Sequence, residues 1–248
     1  MTEVTDRFSK TSPDYAEHRW GYPPKMMEDL VGLCPDRSLA LDCGTGTGQV
    51  PAMLSASFEK VIGIDQSAEQ IQHAHQGENI EYRVNAAEDL RFLGDASVSI
   101  ITVGTAFHWF RQDEFLREAR RVLKPGGLLA IFGIRAPSLK DNRAALESLL
   151  KEQIFPHIPT ATNPGVQKLA TPAGFEEVQI PSEYSEVVLK TADEIAGWLR
   201  TTSAWPRIVE TGGAEGIITD LKARLAKVSP AESKEVVSSA YIRAFRKQ

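Results

Sequence analysis

Leu41-Asp42-Cys43-Gly44-Thr45-Gly46-Thr47-Gly48-Gln49 is the stretch whose reading decides the fold. Apolar Leu39-Ala40-Leu41 lead into it, and apolar residues resume at helical spacing through Leu54, so the segment reads as strand, tight loop and helix. Glycines at this junction permit positive φ and let a ligand approach the backbone. The dinucleotide fingerprint G-x-G-x-x-G is not met, because the third glycine comes one residue early and Gln49 stands at the sixth position. No Lys-Ser/Thr pair follows, which excludes a Walker phosphate loop. Asp42 would repel a phosphate and attract a cationic ligand carrying an amino group, such as a sulfonium amino acid.

Working outward, Val61-Ile62-Gly63-Ile64 forms a second strand that closes on Asp65, a carboxylate placed to accept hydrogen bonds from ribose hydroxyls. The competing role for Asp65 is a turn or helix-capping residue. Ser67 and Gln70 have the spacing of a capping box, which starts a helix near Ala68. Ile80 to Val84 alternates as a third strand, and Val98 to Val103 is a β-branched, buried fourth strand. Phe115, Leu116, Ala119, Val122 and Leu123 mark one helix face, which Lys124-Pro125-Gly126-Gly127 is expected to end before a fifth strand, Leu128 to Phe132. Upstream, Met26, Met27, Leu30 and Leu33 give a helix from Pro24 to Leu33.

Strands alternating with helices over residues 25 to 133 imply a doubly wound, mostly parallel α/β sheet, expected with seven strands, whose ligand lies beyond the strand C-termini. After residue 135 the rhythm changes. Asn142 to Gln153 is helical, Gly174 to Leu189 is strand-like with a break near Pro181, Ala192 to Thr201 and Ala214 to Val228 are helical, and Tyr241 to Phe245 is a terminal strand. The chain is expected to be a single domain: an N-terminal arm (1–24), a binding core (35–135), insertions (136–230) around a sixth strand that are candidates for a substrate cap, and a terminal strand (236–248).

The 248 residues carry 28 Lys and Arg against 33 Asp and Glu, a net charge of -5 that lacks the footprint of a general nucleic-acid binder. Cys34 and Cys43 have no metal-ligand or redox spacing and read as reduced core thiols. The polar start, Met1 to Lys10, has no apolar h-region, and no apolar run is long enough to span a membrane, so a cytoplasmic protein is expected. The histidines show no metal-ligand pattern, and no metal is expected.

The motifs Asp42 to Gly48, Val61 to Asp65, Ala86-Ala87-Glu88-Asp89-Leu90 and Arg121 to Gly127 occur in order. Together they resemble the class I S-adenosylmethionine-dependent methyltransferases over residues 35 to 135. A narrower resemblance is to the type 11, trans-aconitate-methyltransferase-like subgroup, through Tyr15, Arg19, Tyr22 and Pro23, through His108-Trp109-Phe110, and through Thr202-Ser203-Ala204-Trp205. The resemblance implies S-adenosyl-L-methionine as cofactor, contacted by Asp42, Gly44, Thr45, Gly46, Gly48, Gln49, Asp65, Gln66, Ala86, Ala87, Glu88 and Thr105. It further implies Tyr15 over the methionine portion and Arg19 on a carboxylate of cofactor or substrate. Ala86 stands where many members carry an Asp that meets the adenine amino group, which shifts recognition to backbone groups of Ala86 and Ala87.

Methyl transfer from a sulfonium is a direct displacement, for which the protein supplies orientation, water exclusion and sometimes a base. His108, just past strand four, is the candidate catalytic base; the alternative is a hydrogen-bonded loop histidine beside Trp109. Arg19, His108, Trp109, Trp205 and Arg207 are candidate substrate contacts, against cap packing for Trp205 and solvation for Arg207. The expected acceptor is a small molecule such as a carboxylic acid. A protein or RNA methyltransferase and a cofactor-binding module without catalysis are the alternatives, and a nicotinamide oxidoreductase is disfavoured by the glycine spacing. Nothing in the pattern fixes the oligomeric state.

Overall fold

The computed structural model describes residues 20–158, 165–228 and 231–248. The expected roles of Tyr15 and Arg19 fall outside them. In chain order the elements are α1 (Pro24–Gly32), β1 (Leu39–Cys43), α2 (Gln49–Ser55), β2 (Lys60–Asp65), α3 (Ala68–Gln72), β3 (Ile80–Val84) and β4 (Val98–Gly104). There follow α4 (Gln112–Val122), β5 (Leu123–Ile134), β6 (Ser138–Leu139), α5 (Arg143–Leu149), α6 (Val166–Ala170), β7 (Phe175–Val178) and β8 (Glu183–Thr191). The last are α7 (Ala192–Arg200), α8 (Trp205–Glu210), α9 (Ala214–Val228) and β9 (Ser233–Lys247). No helix among the described residues is long and apolar enough to cross a membrane.

The chain forms two compact units. Among the described residues the larger takes in 22–134, 165–184 and 240–248. Its strands run in the order β3-β2-β1-β4-β5-β9. The pairs β3-β2, β2-β1, β1-β4 and β4-β5 are parallel, and β9 is antiparallel to β5 and to β7. The chain moves outward from β1 to β3 and returns to place β4 beside β1, which makes the β1/β4 junction the topological switch point.

Alternation along the strands divides the core between the two sheet faces. In β5, Leu128, Ala130 and Phe132 join Met26, Met27 and Leu30 of α1 and Val50 and Leu54 of α2. Leu129 and Ile131 point the other way, to Phe115, Leu116, Ala119 and Val122 of α4. Helices therefore cover both faces, and β4 between them is buried from Val98 to Val103. Each large side chain removed from water in this way contributes about 1.5–3 kcal/mol. Cys34 and Cys43 are buried free thiols.

Among the described residues the smaller unit takes in 20–21, 135–158, 185–228 and 231–239. Leu146, Leu149, Trp198, Leu199, Trp205 and Leu221 form its core with Trp20, whose ring centroid is 5.9 Å from that of Trp198. A reciprocal cap starts α7: Glu194 N–H donates to Thr191 Oγ1 at 3.2 Å and Thr191 N–H to Glu194 Oε2 at 2.8 Å.

The mostly parallel, doubly wound sheet is as the sequence predicts, but the described residues form nine strands rather than seven. The strand-like stretch after Gly174 splits at Pro181 into β7 and β8, and Ser138–Leu139 adds a short strand paired with Val236 and Val237 of β9. Lys124-Pro125-Gly126-Gly127 does not delay the fifth strand to Leu128. Strand β5 begins at Leu123, opposite Val98, and absorbs the breakers as an irregularity in which Gly126 takes φ +74°.

Candidate active site

The parallel strands all end at one edge of the larger unit, and the glycine loop leaves β1 there. Gly44 N–H and Thr45 N–H both donate to Ile64 O at 2.9 Å, and Gly48 N–H donates to Thr45 O at 3.0 Å. Gly44, Gly46 and Gly48 have φ of +70°, +55° and +77°, a region that favours glycine. A Cβ on Gly44 would lie 2.4 Å from Ala106 Cβ, so the loop passes hard against the segment after β4. At Gly46 the nearest atom to such a Cβ is 3.7 Å away, leaving the middle of the loop open.

Asp65 binds this loop to the end of β2. Its Oδ2 accepts Gly46 N–H at 2.9 Å and its Oδ1 accepts Ser67 N–H at 2.9 Å. These two bonds fix the carboxylate at the end of β2, against the middle of the glycine loop. The turn role weighed for Asp65 is thus also real. Ser67 caps α3 by accepting Gln70 N–H at 3.2 Å, and Gln66 is exposed beside it. Gln49 opens α2, half-buried.

Asp42 is buried, and its Oδ1 accepts the Thr102 hydroxyl at 2.7 Å. Burial lifts its carboxyl to about 7, with the Thr102 hydrogen bond opposing and the nearby Asp65 charge reinforcing the rise. A bound cation would repay ionisation of this group.

At the end of β3, Asn85 Nδ2 donates to Ala86 O at 2.8 Å and to Asp89 O at 2.6 Å, which fixes the turn carrying Ala86 and Ala87. Glu88 is buried. Its Oε1 accepts Arg111 N–H at 2.6 Å, and its Oε2 finds no hydrogen-bond partner among the described residues. Glu88 therefore ties this turn to the start of α4.

Beyond β4, Thr105 takes φ +60°, a conformation costly for a side chain branched at Cβ. Its N–H donates to Phe132 O at 2.7 Å and its Oγ1 lies 3.0 Å from Tyr22 Oη. A single 3-10 turn, Phe107–Trp109, then presents His108 and Trp109, with ring centroids 4.7 Å apart. Both are exposed, yet the surrounding protein desolvates the imidazolium enough to lower the His108 pKa below its ordinary value.

The structure thus brings Asp42, Gly44 to Gln49, Asp65, Gln66, Ala86 to Glu88, Thr105, His108 and Trp109 into the larger unit, with Asp42, Gly44, Asp65, Gln66 and Thr105 at or next to strand ends. Trp205 and Arg207 belong to the smaller unit, Trp205 buried in its core and Arg207 exposed on α8. Tyr22 and Tyr82 were not among the sequence-derived site residues. Tyr22 packs edge-on against Phe132 with centroids 4.7 Å apart, a contact that no local pattern encodes.

These features fit a cationic nucleoside: an open glycine cradle, a carboxylate at the end of β2, and a buried acid. The family pattern described as a methyltransferase domain matches residues 41–131. A candidate methyltransferase of Dictyostelium discoideum is 36% identical over 145 residues, covering 58% of this chain and 55% of that protein. The chain therefore spans about half the length of that curated relative. A malonyl-[acyl-carrier protein] O-methyltransferase of Methylovorus sp. is 29% identical over 197 residues, 73% of this chain and 63% of its own length. A solved structure of a candidate type II methyltransferase from Anaeromyxobacter dehalogenans superposes with a TM-score of 0.77 at 29% identity, over 92% of this chain and 97% of that one.

Fold and strand-end acids together define an open α/β domain of the nucleoside-binding kind. Residues 41–131 carry the methyltransferase-domain pattern, and the larger unit has the fold of the class I S-adenosylmethionine-dependent methyltransferases.

Proposed function

We propose that this chain binds S-adenosyl-L-methionine at the glycine loop and methylates a compact small-molecule acceptor, with carboxylic acids as the leading class. The observation that carries the reading is the Asp65 carboxylate at the end of β2, held on Gly46 N–H of the glycine loop, beside a buried Asp42. When bound, the cofactor supplies an activated methyl group on a sulfonium.

The residues divide the remaining work. Asp65 takes the ribose hydroxyls and Asp42 the amino group. The loop from Gly44 to Gln49 provides close backbone approach, with Gln66 beside the ribose. Backbone groups of Ala86 and Ala87 meet the base, and Glu88 holds their turn in place through Arg111. Thr105, His108 and Trp109 stand at the exit of β4 on the acceptor side. Trp205, buried in the core of the smaller unit, and Arg207, exposed on α8, have the packing and solvation that were weighed against substrate contact.

Neutral His108 can take a proton from a hydroxyl, amine or thiol acceptor, whereas a carboxylate has no proton to lose. The relative named for O-methylation of a malonyl carrier supports an oxygen acceptor of acidic type. The net charge of -5 argues against a nucleic-acid acceptor. The test is transfer of a labelled methyl group from S-adenosylmethionine across a panel of small carboxylic acids, phenols and amines. Labelled ester formed only with the acids supports the reading, and labelling of amines or phenols alone moves the acceptor class.

A further inference from the structure

Tyr82 stands in β3, with no role in the site as described so far. Its ring occupies the space that a side chain would need at two glycines of different elements. A Cβ on Gly48 would lie 2.1 Å from Tyr82 Oη and 2.9 Å from Cζ. A Cβ on Gly63, in β2, would lie 2.7 Å from Cε1 and 2.8 Å from Cδ1. One ring therefore lies against glycines of both the loop and the strand beneath it, joined at Gly63 by Thr45 Oγ1 at 2.9 Å.

The hydroxyl continues the connection. Tyr82 Oη donates to His75 O at 2.7 Å, and His75 N–H donates to Thr47 O at 3.0 Å. This relay runs from β3, through the turn after α3, to the glycine loop one residue before Gly48. Gly48 itself is the left-handed N-cap of α2 and has no side chain to cap the helix, so this end of the loop is held from outside. Burial, with Asp42 adding to it, pushes the Tyr82 hydroxyl up to about 12, so it stays a donor at any working pH.

We infer that Tyr82 is a positioning residue for the cofactor: its ring against Gly48 and its hydroxyl on His75 hold the Thr47–Gly48 end of the loop in the binding conformation. The inference rests on the cofactor reading of the loop given above. A loop ordered before binding loses less conformational freedom on binding, so release of the latch weakens affinity while the sheet stays folded.

The test is calorimetric titration of the full chain and of Tyr82→Phe with S-adenosylmethionine and S-adenosylhomocysteine, joined to amide hydrogen exchange. Tyr82→Phe keeps the ring and removes only the donor. Tyr184→Phe is the control, since it removes a hydroxyl bonded to Asp29 Oδ2 at 2.9 Å, on residues outside the loop. The expected result is Kd raised about two- to tenfold for both ligands in Tyr82→Phe, as for one lost hydrogen bond. Amides of Gly48 and His75 exchange faster, and Tyr184→Phe keeps the original Kd. Unchanged Kd and exchange in Tyr82→Phe, with the original chain binding normally, overturn the latch alone. Equal weakening in Tyr184→Phe overturns it too, because the effect would then follow general stability. No binding by the original chain overturns both the latch and the cofactor reading.

Discussion

The Asp65 carboxylate accepts the Gly46 N–H at 2.9 Å, so the end of β2 and the middle of the glycine loop are one hydrogen-bonded assembly. The residue proposed to hold the ribose is also the residue that shapes the loop. Its replacement is expected to act on both at once.

Asp65→Ala should weaken S-adenosylmethionine binding by about 1–3 kcal/mol, the range for lost hydrogen bonds to a charged acceptor. Asp65→Asn retains one acceptor oxygen and should fall between the two. Calorimetric titration, with circular dichroism to verify folding, checks the order. Equal affinity across the three proteins would remove Asp65 from the site.

Asp42 makes the site sensitive to pH. Burial lifts its carboxyl to about 7 in the folded chain, whereas an unfolded Asp titrates near ~4. Between those values the folded state holds a proton that the unfolded state has lost. The Asp42 contribution to stability is therefore full below the unfolded value and declines as pH rises towards 7. Cofactor affinity should move the opposite way, because the amino group is held by the ionised form. Affinity is expected to rise by up to about tenfold per pH unit below 7 and to level off above it. Titrations in buffers of different ionisation enthalpy should show proton release near pH 7. Asp42→Asn should flatten both dependences.

Gly44 and Gly126 share a left-handed φ, +70° and +74°, but differ in surroundings. Gly126→Ala meets no atom within 4 Å and should cost only the backbone term, about 1–2 kcal/mol. Gly44→Ala adds a clash with Ala106, so it should cost about 1–3 kcal/mol more. It should also displace the turn that carries His108. Thermal unfolding of the pair measures the difference, and equal losses would contradict the close approach of the loop to Ala106.

His108→Gln distinguishes acceptor classes. With a hydroxyl or amine acceptor, loss of a general base should lower kcat by about 10²–10⁴-fold. With a carboxylate acceptor, kcat should change little. Single-turnover rates over pH 5 to 9, once an acceptor is in hand, separate these cases.

Much of the larger unit was legible because its signals are local. Ile80 to Val84 is a strand at the expected bounds, and Ser67 caps α3 where the spacing places it. The acids at Asp42 and Asp65 were readable because each ends an apolar run beside the glycines. The fifth strand was misplaced because long-range bonds overrule its breakers. Arg246 Nη1 donates to Gly126 O at 2.7 Å and Lys247 Nζ to Leu123 O at 2.6 Å, across the whole sequence. Strand β9 likewise extends from Ser233 to Lys247, well beyond the run Tyr241 to Phe245, because β5, β6, β7 and β8 all pair with it. Helix α8 was missed, although Pro206 stands in its first turn, a position that proline favours. Tyr82 escaped notice, and Tyr22 was singled out only by resemblance, because their partners Gly48 and Thr105 are distant in sequence.

The most direct test of the central claim is calorimetric titration of the full chain with S-adenosylmethionine and S-adenosylhomocysteine, with NAD as control. Saturable one-to-one binding of the first two, lost in Asp65→Ala, and no binding of NAD is the predicted result. Binding of NAD alone, or of none of the three by a folded protein, would contradict it.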